Sequence, residues 1–420
     1  MAPSQGKKQR PIHLPGTHLE GGGQLLRLAT SLSALTQQPI QINNIRGNRS
    51  GGGGMKAQHL TAVRWLASAC GARTSGMGLK SKSLVFTPGG EAEEGGDALD
   101  DVESTIDIGS PGAVSLVFQA ILPFVLFSSS QAEPTPVHIT IKGGTNVSNS
   151  PSVDYLRLVL FPTLTLIGFS PISVHVRSRG WSLGRTEVGA ATFSITPLAK
   201  GKTLSAFQLK DRGKIVSLEA VVLAPRTAEK ELLKELERTV GDEFPGIPLQ
   251  IEYEDSLHPK RLYLLLVATC ENGYKLGRDW LYGAEGDFKI KKKAGSSVSP
   301  AIAAEQLVKH VVRDISAEIA HGGCVDEHMR DQMAVFQALA EGKSVVDGGR
   351  DEDGGRVKAS LHARTVQWVA GEVVGVDFDK EGSCNGVGFV VGEHFDSKRR
   401  RGPPPAAEAQ LAEQLEELHV

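Results

Sequence analysis

Apolar residues in the first half of the chain recur at helical spacing after each run of glycines, and then switch to alternation. After Gly21-Gly22-Gly23, the residues Leu25, Leu28, Leu32 and Leu35 share one face of a predicted helix. Residues 39–45 alternate as a half-buried strand. A second run, Gly51 to Gly54, precedes a helix with Leu60, Val63, Ala67 and Cys70 on one face, and residues 84–87 read as a strand. An acidic stretch at 91–103 reads as an exposed connector. Gly109-Ser110-Pro111-Gly112 then leads into an apolar helix from Val114 and a strand at 138–141. Gly143-Gly144-Thr145-Asn146 opens a third cycle, with a helix at 155–166 and a strand at 172–176. The recurrence predicts duplicated βαβαββ-like units.

From about residue 198 the texture changes. Residues 228–240 form a highly charged helix carrying Leu232, Leu233 and Leu236, and strand-like runs follow at 249–253 and 261–269. This predicts a small inserted α/β domain over 198–290, between repeat units at 1–197 and a last unit at 291–395. That last unit opens with a long helix at 301–320, continues with a helix from Glu327, and has a third at 363–373. Residues 396–420 read as a tail with Lys398-Arg399-Arg400-Arg401, Pro403-Pro404-Pro405 and a short apolar face of Leu411, Leu415 and Leu418. That face is too short to hold a helix without a partner.

At 420 residues the chain exceeds one average domain, and its 40% hydrophobic and 22% charged residues fit a globular protein rather than a disordered one. A net charge of −2 announces neither nucleic acid nor membrane. The first fifty residues depart from that balance, with Lys7, Lys8, Arg10, Arg27, Arg46 and Arg49 against Glu20 alone. Four cysteines without a CxxC pair argue against a disulfide framework or a zinc site and for a reducing compartment. Cys70 reads as a core thiol. The longest apolar stretch, 114–127, is too short for a bilayer and contains Gln119 and Pro123. The N-terminus lacks the apolar core of a signal peptide, so the chain reads as intracellular and soluble.

Four segments are candidates for chemistry. In Glu20-Gly21-Gly22-Gly23-Gln24-Leu25-Leu26-Arg27 the glycines free helix N–H groups to face an anion, and Arg27 lies one turn in, off the leucine stripe. The alternative is a glycine turn with a solvated arginine. Ile45-Arg46-Gly47-Asn48-Arg49 sets two guanidinium forks beside the next helix start, which bears Gln58 and His59. No Gly-Lys-Ser/Thr follows, so this is not a Walker P-loop, and a surface hairpin is the alternative. In Val325-Asp326-Glu327-His328-Met329-Arg330-Asp331-Gln332, Glu327 and Asp331 share a helix face. They suit a divalent ion or simply a solvated acidic face. Ser360-Leu361-His362 places an imidazole at a predicted helix start, where it is either a nucleophile or a surface residue.

Taken together, these motifs with Gln119 and the Gly-Gly-Thr-Asn element occur in the order found in RNA 3′-terminal phosphate cyclases, and the chain resembles that family from about residue 11 to 391. The resemblance implies four βαβαββ units with a small thioredoxin-like α/β domain inserted before the last. It implies conversion of an RNA 3′-phosphate to a 2′,3′-cyclic phosphate with ATP and Mg2+ or Mn2+, through a histidine–AMP intermediate. On the same resemblance His362 is the adenylated nucleophile, and Arg27, Arg46 and Arg49 clamp phosphates with Glu20 and Gln58 beside them. Gln119, Glu327, His328, Met329, Arg330, Asp331 and Gln332 line the nucleotide, with Glu20 or Asp331 as the metal ligand. His328 stands where the family usually has a tyrosine near the adenine, the 50–54 linker is richer in glycine, and Arg185-Thr186 replaces glycines. The family implies a nuclear location, with the cytoplasm as the alternative; the Lys398–Arg401 cluster suits nuclear import, contact with RNA backbone or simply a solvated basic tail. The competing reading is an inactive cyclase-like protein of ribosome biogenesis. Such proteins lack the histidine and the arginine signature that this chain keeps.

Overall fold

The computed structural model describes residues 9–89, 104–283 and 299–396. Lys7, Lys8, the acidic connector at 91–103, the Lys398–Arg401 cluster and the apolar face of Leu411, Leu415 and Leu418 lie outside the described residues.

Two sheets have the same topology. The first unit runs β1 (Ile12–Pro15), α1 (Gly23–Thr36), β2 (Ile40–Asn43), α2 (Ala57–Ala69), β3 (Arg73–Ser75) and β4 (Ser83–Thr87), in sheet order β1-β2-β4-β3. β1 and β2 are parallel, and the other pairs are antiparallel. The second runs β5 (Thr105–Asp107), α3 (Val114–Phe127), β6 (Val137–Gly143), a helical stretch, β7 (Ser173–Ser178) and β8 (Gly189–Ile195), in order β5-β6-β8-β7. That stretch is α4 (Val153–Tyr155), a π-helical turn Leu156–Leu160 and α5 (Phe161–Leu166).

A third unit starts with β9 (Gln208–Leu209) and resumes after a long insertion with α8 (Glu327–Leu339), β14 (Glu341–Val346), α9 (Leu361–Val374) and β15 (Cys384–Val387). Its sheet order is β15-β14-β9, with β9 parallel to β14. The fold is therefore mixed α/β. Where four βαβαββ units were expected, the described residues form three sheets of this lineage. Each unit contains two glycine-turn–helix–strand cycles, so the cycles outnumber the sheets.

The insertion comprises β10 (Ile215–Ala224), α6 (Arg226–Glu243), β11 (Leu249–Asp255), β12 (Tyr263–Cys270), β13 (Lys275–Leu281) and α7 (Pro300–Ala320). Strand alternation divides the inserted sheet, of order β11-β10-β12-β13, between two cores. Leu218, Ala220 and Val222 pack with Leu232 and Leu236 of α6 and Leu307, Val308 and Val311 of α7. Val221, Leu223, Leu265 and Val267 join the core of the repeat units. Helix α7, expected with the last repeat at 291–395, thus lays its apolar face on the inserted sheet. Amphipathic spacing fixes a helix's buried face but not the sheet that covers it.

In the repeat units the helices turn inward against one another. α3 is buried along almost its whole length, and α1 packs beside α2, α3 and α9. Helix N-termini from different units therefore meet at one place in the molecule. Cys70 falls at the C-terminal end of α2, half-buried, with burial pushing its thiol up to about 12.

Candidate active site

Helix α1 begins on the glycine run with no side-chain cap, so its first N–H groups are free to meet an anion. The glycines are required by close approach. A Cβ on Gly22 would fall on Glu20 Oε1, and one on Gly23 would fall on His59 Nε2 and lie 2.9 Å from Arg27 Nη1. Arg27 sits half-buried over this spot. Its Nη2 donates to Gln24 Oε1 at 2.6 Å, and Gln24 Nε2 donates to Asp331 Oδ2 at 3.0 Å. Gln332 Nε2 donates to Asp331 Oδ1 at 2.8 Å. Gln24, Arg27, Gln119, Asp331 and Gln332 line one small cleft, and Gln119 Nε2 is buried there without a partner. Burial lowers the Arg27 guanidinium to about 10, against the pull of Asp331 and Glu20, so it stays charged at neutral pH. Burial pushes the Asp331 carboxyl up to about 7, opposed by Gln332 and Arg27.

The loop after β2 completes the rim. Arg49, exposed, pairs with Glu20 Oε1, while Glu20 Oε2 is buried with no partner. Arg46, in a left-handed backbone conformation, donates through Nη1 to Gly54 O at 3.0 Å, which fixes how the glycine linker folds back.

Helix α9 arrives from the third unit. Ser360 caps it by accepting the Ala363 N–H at 3.2 Å, and His362 stands on its first turn, partly open to solvent. Thr365 Oγ1, one turn further, accepts the Glu20 backbone N–H at 3.3 Å, docking α9 on the glycine loop. His362 feels Glu20, Arg27, Arg49 and Glu327. Its pKa is lowered, first by partial burial and then by the two arginines, against the two carboxylates.

Not every expected residue joins this group. Gln58 Oε1 accepts the Ala113 N–H at 3.0 Å, at the start of α3. Met329 is fully buried in the apolar face of α8, which removes it from any ligand surface. Arg330 Nη1 donates to Val357 O at 2.7 Å, on the loop before α9, and it is not part of the cleft. Glu327 and His328 meet the inserted domain. Arg278 of β13 bonds Glu318 and reaches Glu327 Oε2 at 3.0 Å, and its Nη1 lies 3.3 Å from His328 Nε2. His328 sets its ring edge-on to Tyr155 at 6.0 Å. Thr145 and Asn146 are buried, with Thr145 Oγ1 donating to Asn146 Oδ1 and Asn146 Nδ2 to Asp154 Oδ2. The Gly-Gly-Thr-Asn element is thus scaffold.

Two contributors were missed. Gln24 bridges Arg27 to Asp331, and the signal for it was an amide set among buried leucines. Arg278 carried no signal at all. For a divalent ion, Glu20 Oε2 is a free buried oxygen, whereas both Asp331 oxygens already accept amide hydrogens. No three His, Cys, Asp or Glu side chains stand together as a metal cluster among the described residues. Glu20 therefore fits an ion held by one carboxylate and by substrate phosphates, the usual manner of Mg2+.

Arginines from one βαβαββ unit beside a histidine from another, over an uncapped helix start, define an α/β enzyme that handles phosphate groups. The sequence profile described as RNA 3′-terminal phosphate cyclase matches residues 18–380, and the chain belongs to that family. The RNA 3′-terminal phosphate cyclase of Hyperthermus butylicus is 32% identical over 81% of this chain and 87% of its own length. That of Methanosarcina mazei is 30% identical over 88% and 98%, and that of Ignicoccus hospitalis 31% over 80% and 87%. No helix among the described residues is long and apolar enough to cross a membrane.

Proposed function

We propose that this chain converts RNA 3′-phosphate ends to 2′,3′-cyclic phosphates, using ATP and a divalent metal, with His362 as the nucleophile. The observation that carries the reading is the docking of α9 on the glycine loop, where Thr365 Oγ1 accepts the Glu20 N–H at 3.3 Å, which brings His362 within electrostatic reach of Glu20, Arg27 and Arg49.

An imidazole nitrogen of His362 attacks the α-phosphorus of ATP, a P–N bond forms, and the α–β P–O bond breaks to release pyrophosphate. An oxygen of the RNA 3′-phosphate then attacks the adenylate phosphorus and the P–N bond breaks, returning the histidine. The neighbouring 2′-hydroxyl loses its proton, attacks the 3′-phosphorus and expels AMP. His362 serves the first two steps because its lowered pKa keeps a lone pair free at neutral pH. The arginines hold phosphate oxygens in line and stabilise the charge of each displacement. Gln119 and Gln332 would contact the nucleotide, with Glu327 and His328 at its far end. A divalent ion at Glu20 would neutralise triphosphate charge, with Asp331 joining only if an amide lets it go.

Incubation with ATP labelled on the α-phosphate is expected to leave label on the wild-type protein and none on His362→Ala. Label that survives His362→Ala refutes the mechanism. The scaffold reading is not favoured, because it leaves the gathered arginines and histidine without a task. It calls instead for co-sedimentation with pre-ribosomal particles and no cyclic-phosphate product. The proposal extends to a nuclear location, tested by imaging tagged protein with Lys398–Arg401 replaced by alanine.

A further inference from the structure

His59 lies beside the cleft but has no part in the steps above. It occupies the first turn of α2, only 3% exposed, and its Nδ1 accepts the Lys56 backbone N–H at 3.2 Å. A ring nitrogen that accepts carries no proton, so the ring is neutral and its hydrogen sits on Nε2. Burial, reinforced by Arg27, Arg46 and Lys56, holds its pKa well below the usual value, in agreement with that tautomer. Nε2 has no hydrogen-bond partner among the described residues. It points at Gly23, where an added Cβ would strike it and would lie 2.9 Å from Arg27 Nη1. The N–H donor of a largely buried ring, a guanidinium and the uncapped N-terminus of a 14-residue helix thus converge on one small space that only a glycine leaves open.

We propose that His59 is a phosphate-binding residue, donating its Nε2 hydrogen to a phosphoryl oxygen seated against the start of α1 beside Arg27. The inference rests on the phosphate-handling reading above and adds a neutral donor to its cations. Neutrality suits the position. Three arginines already crowd this rim, and a fourth positive charge would repel them, whereas an N–H of fixed direction adds orientation without charge.

The test separates the two ring nitrogens. His59→Asn keeps an acceptor near Nδ1 for the Lys56 N–H but cannot reach the phosphate, while His59→Gln reaches it but gives up the acceptor. Each variant is titrated calorimetrically with ATP, and with a short oligoribonucleotide ending in a 3′-phosphate referenced to its 3′-hydroxyl twin. His59→Asn should weaken one phosphate ligand about tenfold or more with its melting temperature unchanged. His59→Gln should stay within about threefold despite a lower melting temperature. The ligand that weakens identifies whose phosphate sits there. Wild-type affinity in His59→Asn, a larger loss in His59→Gln, or equal losses in both assign His59 to capping α2 and overturn the proposal while leaving the cyclase reading intact. Wild-type protein that binds neither ligand overturns both.

Discussion

Gln24 offers the sharpest test of how the cleft is assembled, because one amide holds a cation from its own helix and a carboxylate from α8. In Gln24→Ala, Arg27 loses an acceptor at 2.6 Å and Asp331 loses a donor at 3.0 Å. A hydrogen bond to a charged group is worth about 1.5–3 kcal/mol, and water entering the small cleft replaces part of it. If the pose of Arg27 matters to phosphoryl transfer, the rate should fall roughly 10- to 100-fold, at about 1.4 kcal/mol per factor of ten. The assay is single-turnover labelling of the protein from α-labelled ATP, run as a cycle of Gln24→Ala, Arg27→Ala and the double variant. Because Gln24 acts through Arg27, its loss should count for little once Arg27 is gone, giving a coupling of at least about 1.5 kcal/mol. Losses that add within about 0.5 kcal/mol would show two independent residues and refute the bridge.

Gly22→Ala puts a Cβ onto Glu20 Oε1, so the carboxylate must swing away from Arg49. Melting should barely move while labelling slows at least about tenfold by the same charged-bond scale, and an unchanged rate would place Glu20 outside the chemistry. Tyr155→Phe removes the hydroxyl that donates to the buried Asp326 Oδ1 at 2.6 Å. It should cost about 1.5–3 kcal/mol in urea unfolding, and an unchanged midpoint would mean that water takes over the bond. For His362, burial and the arginines lower the pKa. The reactive unprotonated ring therefore persists as pH falls through 6.5, and the acid limb of the labelling rate should have its midpoint below the ordinary histidine value of about 6.5. A midpoint above it contradicts the assignment.

The parts of the site that could be read from sequence are those whose cause is local. Glycines followed by a leucine stripe specify an open helix start, and Ser360 before Leu361-His362 specifies a capped one, within a few residues in each case. Gln24 meeting Asp331 is a contact across 307 positions, and nothing near either residue encodes it. Met329 shows the opposite failure. Motif position made it a ligand candidate, but the period of α8 puts it on the buried stripe with Met333 and Phe336. Thr145 and Asn146 looked chemical because small polar residues after glycines are ambiguous between a site and a buried polar knot. The extra unit and the misplaced α7 share one cause. Periodicity identifies elements, whereas sheet membership depends on pairings that the periodicity does not contain.

The topology also explains why the insertion falls where it does. In the first unit the β1-to-α1 connection is the glycine loop that leaves a helix start open. In the third, the equivalent β9-to-α8 connection holds the whole inserted domain, and the helix start is closed instead. Asp326 Oδ1 accepts the Met329 N–H at 2.9 Å, and Asp326 Oδ2 accepts the Gly277 N–H from β13 at 2.8 Å. Gly277 is needed for that approach, since a Cβ there would lie 2.7 Å from Val159 and 3.0 Å from Tyr155. Arg278 of the insertion then reaches Glu327 and His328. One helix start keeps its partial positive charge available for an anion, while its counterpart is neutralised by a capping carboxylate and clamped by an arginine. A duplicated fold that left both of these starts open would offer two competing anion sites; closing the one at α8 keeps α1, on whose glycine loop α9 docks, as the open member of the pair.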